Sequence, residues 1–338
     1  MTNREPGLDL VRCVALLCVV VFHSFLYNGY YYQPQIGLSM VLAGSVRWLS
    51  TACIGLFVML TGYLQSTKTD IKACWRGLLP VLLGYALAAA VSIPVRHFCF
   101  GEVLSPEQWL QRFAEFSGVY YGWYVEMYVG LALLMPFINR AISRFDDKAL
   151  LAFTGVLLAL TALPGVTPLT LAPDYWRSIY PLTYYALGAL VRRYSARPEF
   201  IPPILGVSGA CVIALAMGVT TTLSTDGDLS TALIWEFPDL WVTMIVVCLF
   251  LSLYRLRISP GMGRILAFCS GGCYGGYLLS HLLDHWVYTL LPSWQQPTDW
   301  IRTLLVVTIP VYFAAILSGR LLQAVVDRLL TPRKKVPL

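Results

Sequence analysis

Apolar stretches of about 20 residues follow one another along almost the whole chain, separated by short polar gaps. That repetition limits the possible folds more than any other feature. A helix needs about 20 residues to cross the hydrocarbon core of a bilayer, within a range of about 17–25. On that length scale the spans fall at 8–27, 41–65, 76–97, 119–138, 149–164, 176–191, 203–222, 234–254, 267–291 and 301–328. In lipid, backbone polar groups must be satisfied within a helix or a closed barrel. These runs are too long and too uniformly apolar for the alternating strands of a barrel. The expected fold class is an all-α integral membrane protein, a bundle of about ten transmembrane helices. Composition agrees: 12% of residues are charged, against about 25% in soluble domains.

The gaps orient the bundle. Alternate gaps are basic, carrying Lys68, Lys72 and Arg76; Arg140, Arg144 and Lys148; Arg192, Arg193 and Arg197; Arg255, Arg257 and Arg264; and Arg333, Lys334 and Lys335. The intervening gaps are poor in Lys and Arg, and those at 223–233 and 292–300 carry only acids: Asp226, Asp228 and Asp299. This is the positive-inside pattern, and it predicts both termini in the cytoplasm. The net charge of +6 sits in these gaps rather than on one soluble face, so no nucleic-acid partner is expected. The first apolar run is too long for a signal-peptide h-region and no cleavage site follows it, so it stays as a helix. The nine cysteines have no zinc spacing and are expected to be structural; no metal site is expected. One transmembrane domain over 1–338 is expected, with two longer outer loops at 28–40 and 98–118.

Ionisable residues inside a bilayer are costly and usually mark function. The first span carries Arg12 and His23. Eleven residues make three turns plus about 20°, so both lie on one face, about 16 Å apart along the axis. Asp9 stands one turn before Arg12. In the fourth span Glu126 follows Trp123 by three residues and shares its face. In the ninth, Tyr274, Tyr277 and His281 follow helical spacing, with Asp284 and His285 beyond. Arg177 opens the sixth span, and Glu236 and Asp239 open the eighth.

These segments resemble the acyltransferase 3 family of membrane O-acyltransferases. Leu8-Asp9-Leu10-Val11-Arg12 followed by Phe22-His23-Ser24 is similar to its Arg-x10-His signature. Gly55 to Tyr63 is similar to its second-helix segment, Gly122-Trp123-Tyr124-Val125 with Pro136 to its fourth, and Cys273 to His281 to its ninth. Tyr184 to Gly188 fits the end of its sixth. The resemblance covers nearly the whole chain in the family's order. One departure is local: relatives often carry Arg-x-x-Arg after the second helix, whereas here Arg76 is preceded at that spacing by Ala73, with Lys72 beside it.

The resemblance implies transfer of an acyl group, usually acetyl from cytoplasmic acetyl-CoA, to a hydroxyl of a cell-surface polysaccharide or its lipid-linked glycan precursor, in a bacterial cytoplasmic membrane. On this reading Arg12, Lys72 and Arg76, with Arg192 and Arg193, hold the acyl-CoA phosphates. His23 acts as general base or carries the acyl group itself, and Glu126 orients His23 or binds sugar hydroxyls. Trp123, Tyr124, Tyr277 and His281 contact the acceptor, as do tyrosines of 27–32. A transporter of a small polar solute or glycan precursor is the alternative, since buried charges and ten helices suit it equally. A structural partner in a surface-polymer assembly is a third reading, in which Arg12 and His23 are dispensable.

Overall fold

The computed structural model describes residues 5–165, 172–195, 202–224, 237–291 and 293–331. Arg197, Asp226, Asp228, Glu236, Arg333, Lys334 and Lys335 lie outside the described residues.

Among the described residues the regular structure is helical. The first helix, α1 (Pro6–Tyr27), starts on a proline at its first position, where the missing N–H costs nothing. The second expected span is two helices, α2 (Leu38–Ser50) and α3 (Ala52–Gln65). At the break, the Ser50 and Thr51 hydroxyls donate back to the carbonyls of Arg47 and Trp48 at 2.6 Å, an arrangement that bends helices. Next come α4 (Ile71–Arg76), capped by Asp70, and α5 (Leu78–Cys99). The 98–118 segment, expected as a loop, contains the short helix α6 (Pro106–Ala114), started by a Ser105–Gln108 capping box.

The chain continues through α7 (Trp123–Arg144), α8 (Asp147–Thr161), α9 (Tyr180–Tyr194), α10 (Pro203–Ser224) and α11 (Leu240–Leu253). It ends with the long α12 (Pro260–Leu290), α13 (Asp299–Arg302), a π-helical stretch Thr303–Thr308, and α14 (Ile309–Leu330).

Among the described residues, six helical stretches are long and apolar enough to cross a membrane: Pro6–Tyr27, Leu38–Gln65, Ile71–Cys99, Trp123–Arg144, Pro203–Ser224 and Asp299–Leu330. The other expected spans also contain helices, but α8, α9 and α11 have only 14 or 15 residues. That is about 22 Å at 1.5 Å per residue, short of a ~30 Å hydrocarbon core. The longest helix, α12, is diluted by glycines and by Ser270, Ser280, His281, Asp284 and His285.

The first helix is the centre of the bundle, packed against α2, α3, α11, α12 and α14. It is apolar on nearly every side, as a helix surrounded by other helices must be. Small residues let backbones close up where side-chain burial gives little drive. A Cβ on Gly319 of α14 would run into the Gly272 carbonyl of α12, and one on Gly188 of α9 into the Met59 carbonyl of α3. Contacts with α1 also fix directions. Arg12 meets Ser270 and His23 meets Asp284, so α12 runs parallel to α1. Tyr254, just past the end of α11, meets Gly7 at the start of α1, so α11 runs antiparallel. The end of the bundle holding Glu5 is called the near end below, and that holding Tyr27 the far end.

Candidate active site

At the near end a cavity of about 740 Å³ opens between Glu5 and Arg192, within the usual size of a small-molecule site. Its mouth is polar, with Arg12, Gln65 and Gln323. Its depth is apolar and aromatic, with Phe57, Leu60, Val81, Tyr124 and Tyr277. Arg12 is a third exposed and donates to Asp9 at 3.1 Å and to Ser270 Oγ at 3.4 Å. Asp9, almost fully buried, also accepts from Ser270 Oγ at 2.7 Å. The guanidinium is therefore held over the cavity with hydrogen-bond donors to spare, since it carries five.

The two neighbouring arginines of α9 have parted roles. Arg192 lines the cavity, with its guanidinium over the Tyr63 ring at 5.0 Å. Arg193 donates to the carbonyls of Phe145 and Ile142 at 2.7 Å and pairs with Asp147 at 3.9 Å, capping the end of α7. Lys72 and Arg76 are exposed on α4 and do not line the cavity.

Toward the far end lies a second buried group. The His23 ring stacks on Tyr121, centroids 3.9 Å apart and planes at 15°. Its Nδ1 faces Asp284 Oδ2 at 3.6 Å, just beyond a hydrogen bond. Asp284 Oδ2 accepts from the Tyr121 hydroxyl at 2.8 Å, and Tyr121 meets the Tyr27 hydroxyl at 3.2 Å. His281 stands edge-on to Tyr121 at 5.8 Å. Its Nδ1 is 2.9 Å from the Leu278 carbonyl, so Nδ1 carries the proton and Nε2 is the lone-pair nitrogen. Three buried atoms here have no hydrogen-bond partner among the described residues: His23 Nδ1, Asp284 Oδ1 and His281 Nε2. Buried polar atoms without partners are rare in folded proteins, and their gathering around one ring makes this group a candidate site.

Glu126 and Trp123 do share a face, and that face is exposed. Trp123 packs against Phe237 at 5.9 Å, and Phe237 in turn against Phe22 at 6.0 Å. The carboxylate beside His23 is that of Asp284. Tyr124 and Tyr277 lie at the deep end of the cavity. His285 stacks on Phe100 at 3.5 Å, outside the group.

The far end is braced by ions. Arg96 holds Glu102 through two bonds of 2.9 and 3.0 Å, and Arg112 reaches the same carboxylate at 2.7 Å. Tyr120 also donates to Glu102. The Arg96 guanidinium lies 3.9 Å over the Tyr120 ring, which also meets His281 edge-on at 5.5 Å. Burial pushes the Glu102 carboxyl up, but the bonds from Arg96, Tyr120 and Arg112 outweigh it and hold the group down at about 2. A folded-state value below the unfolded one stabilises the fold above the unfolded value, and that contribution is lost as pH falls through the folded value. The network's contribution is thus complete above pH 4.5 and fades toward pH 2. Glu102→Gln is expected to cost about 2 kcal/mol, the scale of a charge-assisted bond. Thermal unfolding in detergent should show a lower midpoint at pH 7 and a smaller difference between pH 7 and pH 3 than in the parent. An unchanged pH dependence would place the acid sensitivity elsewhere.

Several membrane-length apolar helices, a cation-lipped cavity at one end of the bundle and a buried histidine–carboxylate group beyond it fit a multi-pass membrane protein. The family model described as an acyltransferase domain matches residues 5–319, and the chain belongs to that family of membrane acyltransferases. No curated protein and no solved structure matches it.

Proposed function

We propose that the protein is an O-acetyltransferase, taking acetyl from cytoplasmic acetyl-CoA and passing it to a hydroxyl of a cell-surface polysaccharide or its lipid-linked precursor. The observation that carries this reading is the alignment along α1 and α12 of a cationic cavity mouth, an apolar depth and a buried histidine–carboxylate pair. Coenzyme A is a polyanion with a long thin arm. Arg12 and Arg192 suit its phosphates, with Lys72 and Arg76 available at the cytoplasmic surface, and the apolar depth suits the arm and thioester. The basic gaps support a cytoplasmic mouth. The shared direction of α1 and α12 and the opposite direction of α11 fit the expected ten crossings with both termini inside, in the bacterial cytoplasmic membrane.

At the far end, the acceptor hydroxyl gives its proton to His23 Nε2, because Nδ1 is turned to Asp284. The acceptor oxygen bonds to the thioester carbonyl, the C–S bond breaks, and the thiolate leaves to be protonated as CoA. Asp284 orients the imidazole and stabilises its cation, the role a carboxylate plays beside a catalytic histidine. The second arrangement, in which Nε2 itself takes the acetyl group, uses the same geometry. A polar pocket of about 430 Å³, lined by Gln108, Gln111, Arg112, Glu115 and Tyr120 among others, offers amides, a guanidinium and an aromatic face to a sugar. Trp123 and Glu126, exposed nearby in sequence, and the tyrosines of 27–32 are further candidates for acceptor contacts, and His281 for positioning the hydroxyl.

Asp284→Asn is expected to lower kcat about 10²–10³-fold with little change in KM for acetyl-CoA, as for loss of a histidine-orienting carboxylate. A fall in kcat below tenfold would remove Asp284 from the mechanism. Purified protein separates the enzyme from the transporter: acetyl-CoA consumption with ester formation supports this reading, and solute flux without acyl chemistry contradicts it.

A further inference from the structure

The cavity and the histidine group do not share one space. The cavity's lining on α12 ends at Tyr277 and on α1 at Arg12, and neither His23 nor Asp284 reaches it. Between them stands a single layer of rings. Tyr124 and Tyr277 close the deep end, centroids 5.2 Å apart at 63°, and both are buried. The Tyr277 hydroxyl donates to the Tyr121 carbonyl at 2.9 Å, pinning that ring across the passage. On the other side of the layer the Tyr121 ring lies on His23. Phe57, 6.1 Å from Tyr124, and Val125 fill the flank.

We propose that Tyr124 and Tyr277 are the acyl-length gauge of the enzyme. They bound the space the acyl group occupies when the acyl-CoA is bound, before the ring layer parts and the thioester meets His23, and they select acetyl over longer acyl groups. This assigns the two tyrosines to the donor rather than to the acceptor sugar, and it rests on the reading that the cavity takes an acyl-CoA. The physical reason is packing. Interiors are close-packed, so an added methylene at this floor has to displace a ring. Tyr277 is held by its hydrogen bond, and Tyr124 is wedged between Phe57 and Tyr277. An apolar pocket discriminates one methylene by about 10- to 200-fold, so butyryl, two methylenes longer than acetyl, is excluded by about 10² or more.

The test is a panel of radiolabelled acetyl-, propionyl-, butyryl- and hexanoyl-CoA, with label counted as alkali-labile ester in membranes of the expressing cell. The parent should transfer acetyl at least about 10²-fold faster than butyryl. Tyr124→Ala and Tyr277→Ala should each lower that ratio by about tenfold or more, whereas Tyr124→Phe keeps it. The ratio comes from one preparation, so partial misfolding cancels. Tyr124→Leu is the milder variant and should move the ratio in the same direction. The proposal is overturned if the alanine variants slow every acyl-CoA equally, since the tyrosines then serve the acceptor or the scaffold. It is also overturned if the parent uses hexanoyl-CoA as readily as acetyl-CoA. A parent that transfers acyl groups from no CoA thioester removes the acyltransferase reading, and the gauge with it.

Discussion

His23→Ala is expected to lower acetyl transfer by about 10³-fold or more, within the range that general-base catalysis supplies and above its middle because the ring is also the nucleophile in the alternative arrangement. The side chain is 11% exposed and stands between Tyr121 and Asp284, with no second imidazole in its place. His281 is the nearest other base, but its Nδ1 is committed to a backbone carbonyl and it meets Tyr121 by its edge. The variant should fold, because Asp284 keeps the Tyr121 hydroxyl. Loss of the stacked ring costs about 1 kcal/mol beyond its buried area. His23→Gln refines the test: it keeps a polar group toward Asp284 and removes the base, and it should be as inactive as the alanine variant. Yield and monodisperse elution report folding, and ester formation reports chemistry. Retained transfer in His23→Gln with loss in His23→Ala would make the residue a spacer rather than a base.

Arg12→Ala is the second large effect, and it should appear in KM. Losing one charge-assisted bond of about 1.5–3 kcal/mol raises KM for acetyl-CoA about 10- to 100-fold, with kcat changed far less. Arg12 also sits beside Asp9, a nearly fully buried carboxylate, so the alanine variant loses stability as well. Arg12→Lys separates the two effects. It restores the charge next to Asp9 but not the planar fork that suits phosphates, and should fold like the parent while keeping part of the KM defect. Initial rates against acetyl-CoA concentration decide this. A kcat loss with unchanged KM would move Arg12 from binding to chemistry.

How much of this was legible in the sequence follows from geometry. Arg12 and His23 were legible as a pair because eleven residues close three helical turns, and in the structure both turn toward α12. Asp284 was visible as an intramembrane acid, but its partnership with His23 spans 261 positions and no local pattern announces it. Tyr121 is one of 20 tyrosines, in a turn just before α7. The spacing of Trp123 and Glu126 told that they share a face, not that this face points outward; Tyr124, Val125 and Tyr128 took the inward side. Arg192 and Arg193 are 100° apart on α9, enough to put one in the cavity and the other on the α7 carbonyls. Hydropathy located the apolar helices and already gave the fifth and sixth spans, α8 and α9, as short, but it missed α4 and α6 in the gaps and did not tell that α11 is short.

The most direct test of the central claim, that an acetyl group rather than a whole solute crosses the bundle, uses proteoliposomes of sucrose-impermeable integrity. Acetyl-labelled acetyl-CoA is confined to the side bearing the near end, and membranes' extracted glycan acceptor to the other. The account predicts labelled ester on the acceptor side, free CoA thiol retained on the donor side in equal amount, and neither product with His23→Ala. Intact acetyl-CoA or free CoA on the acceptor side, or label transfer undiminished in His23→Ala, would contradict it.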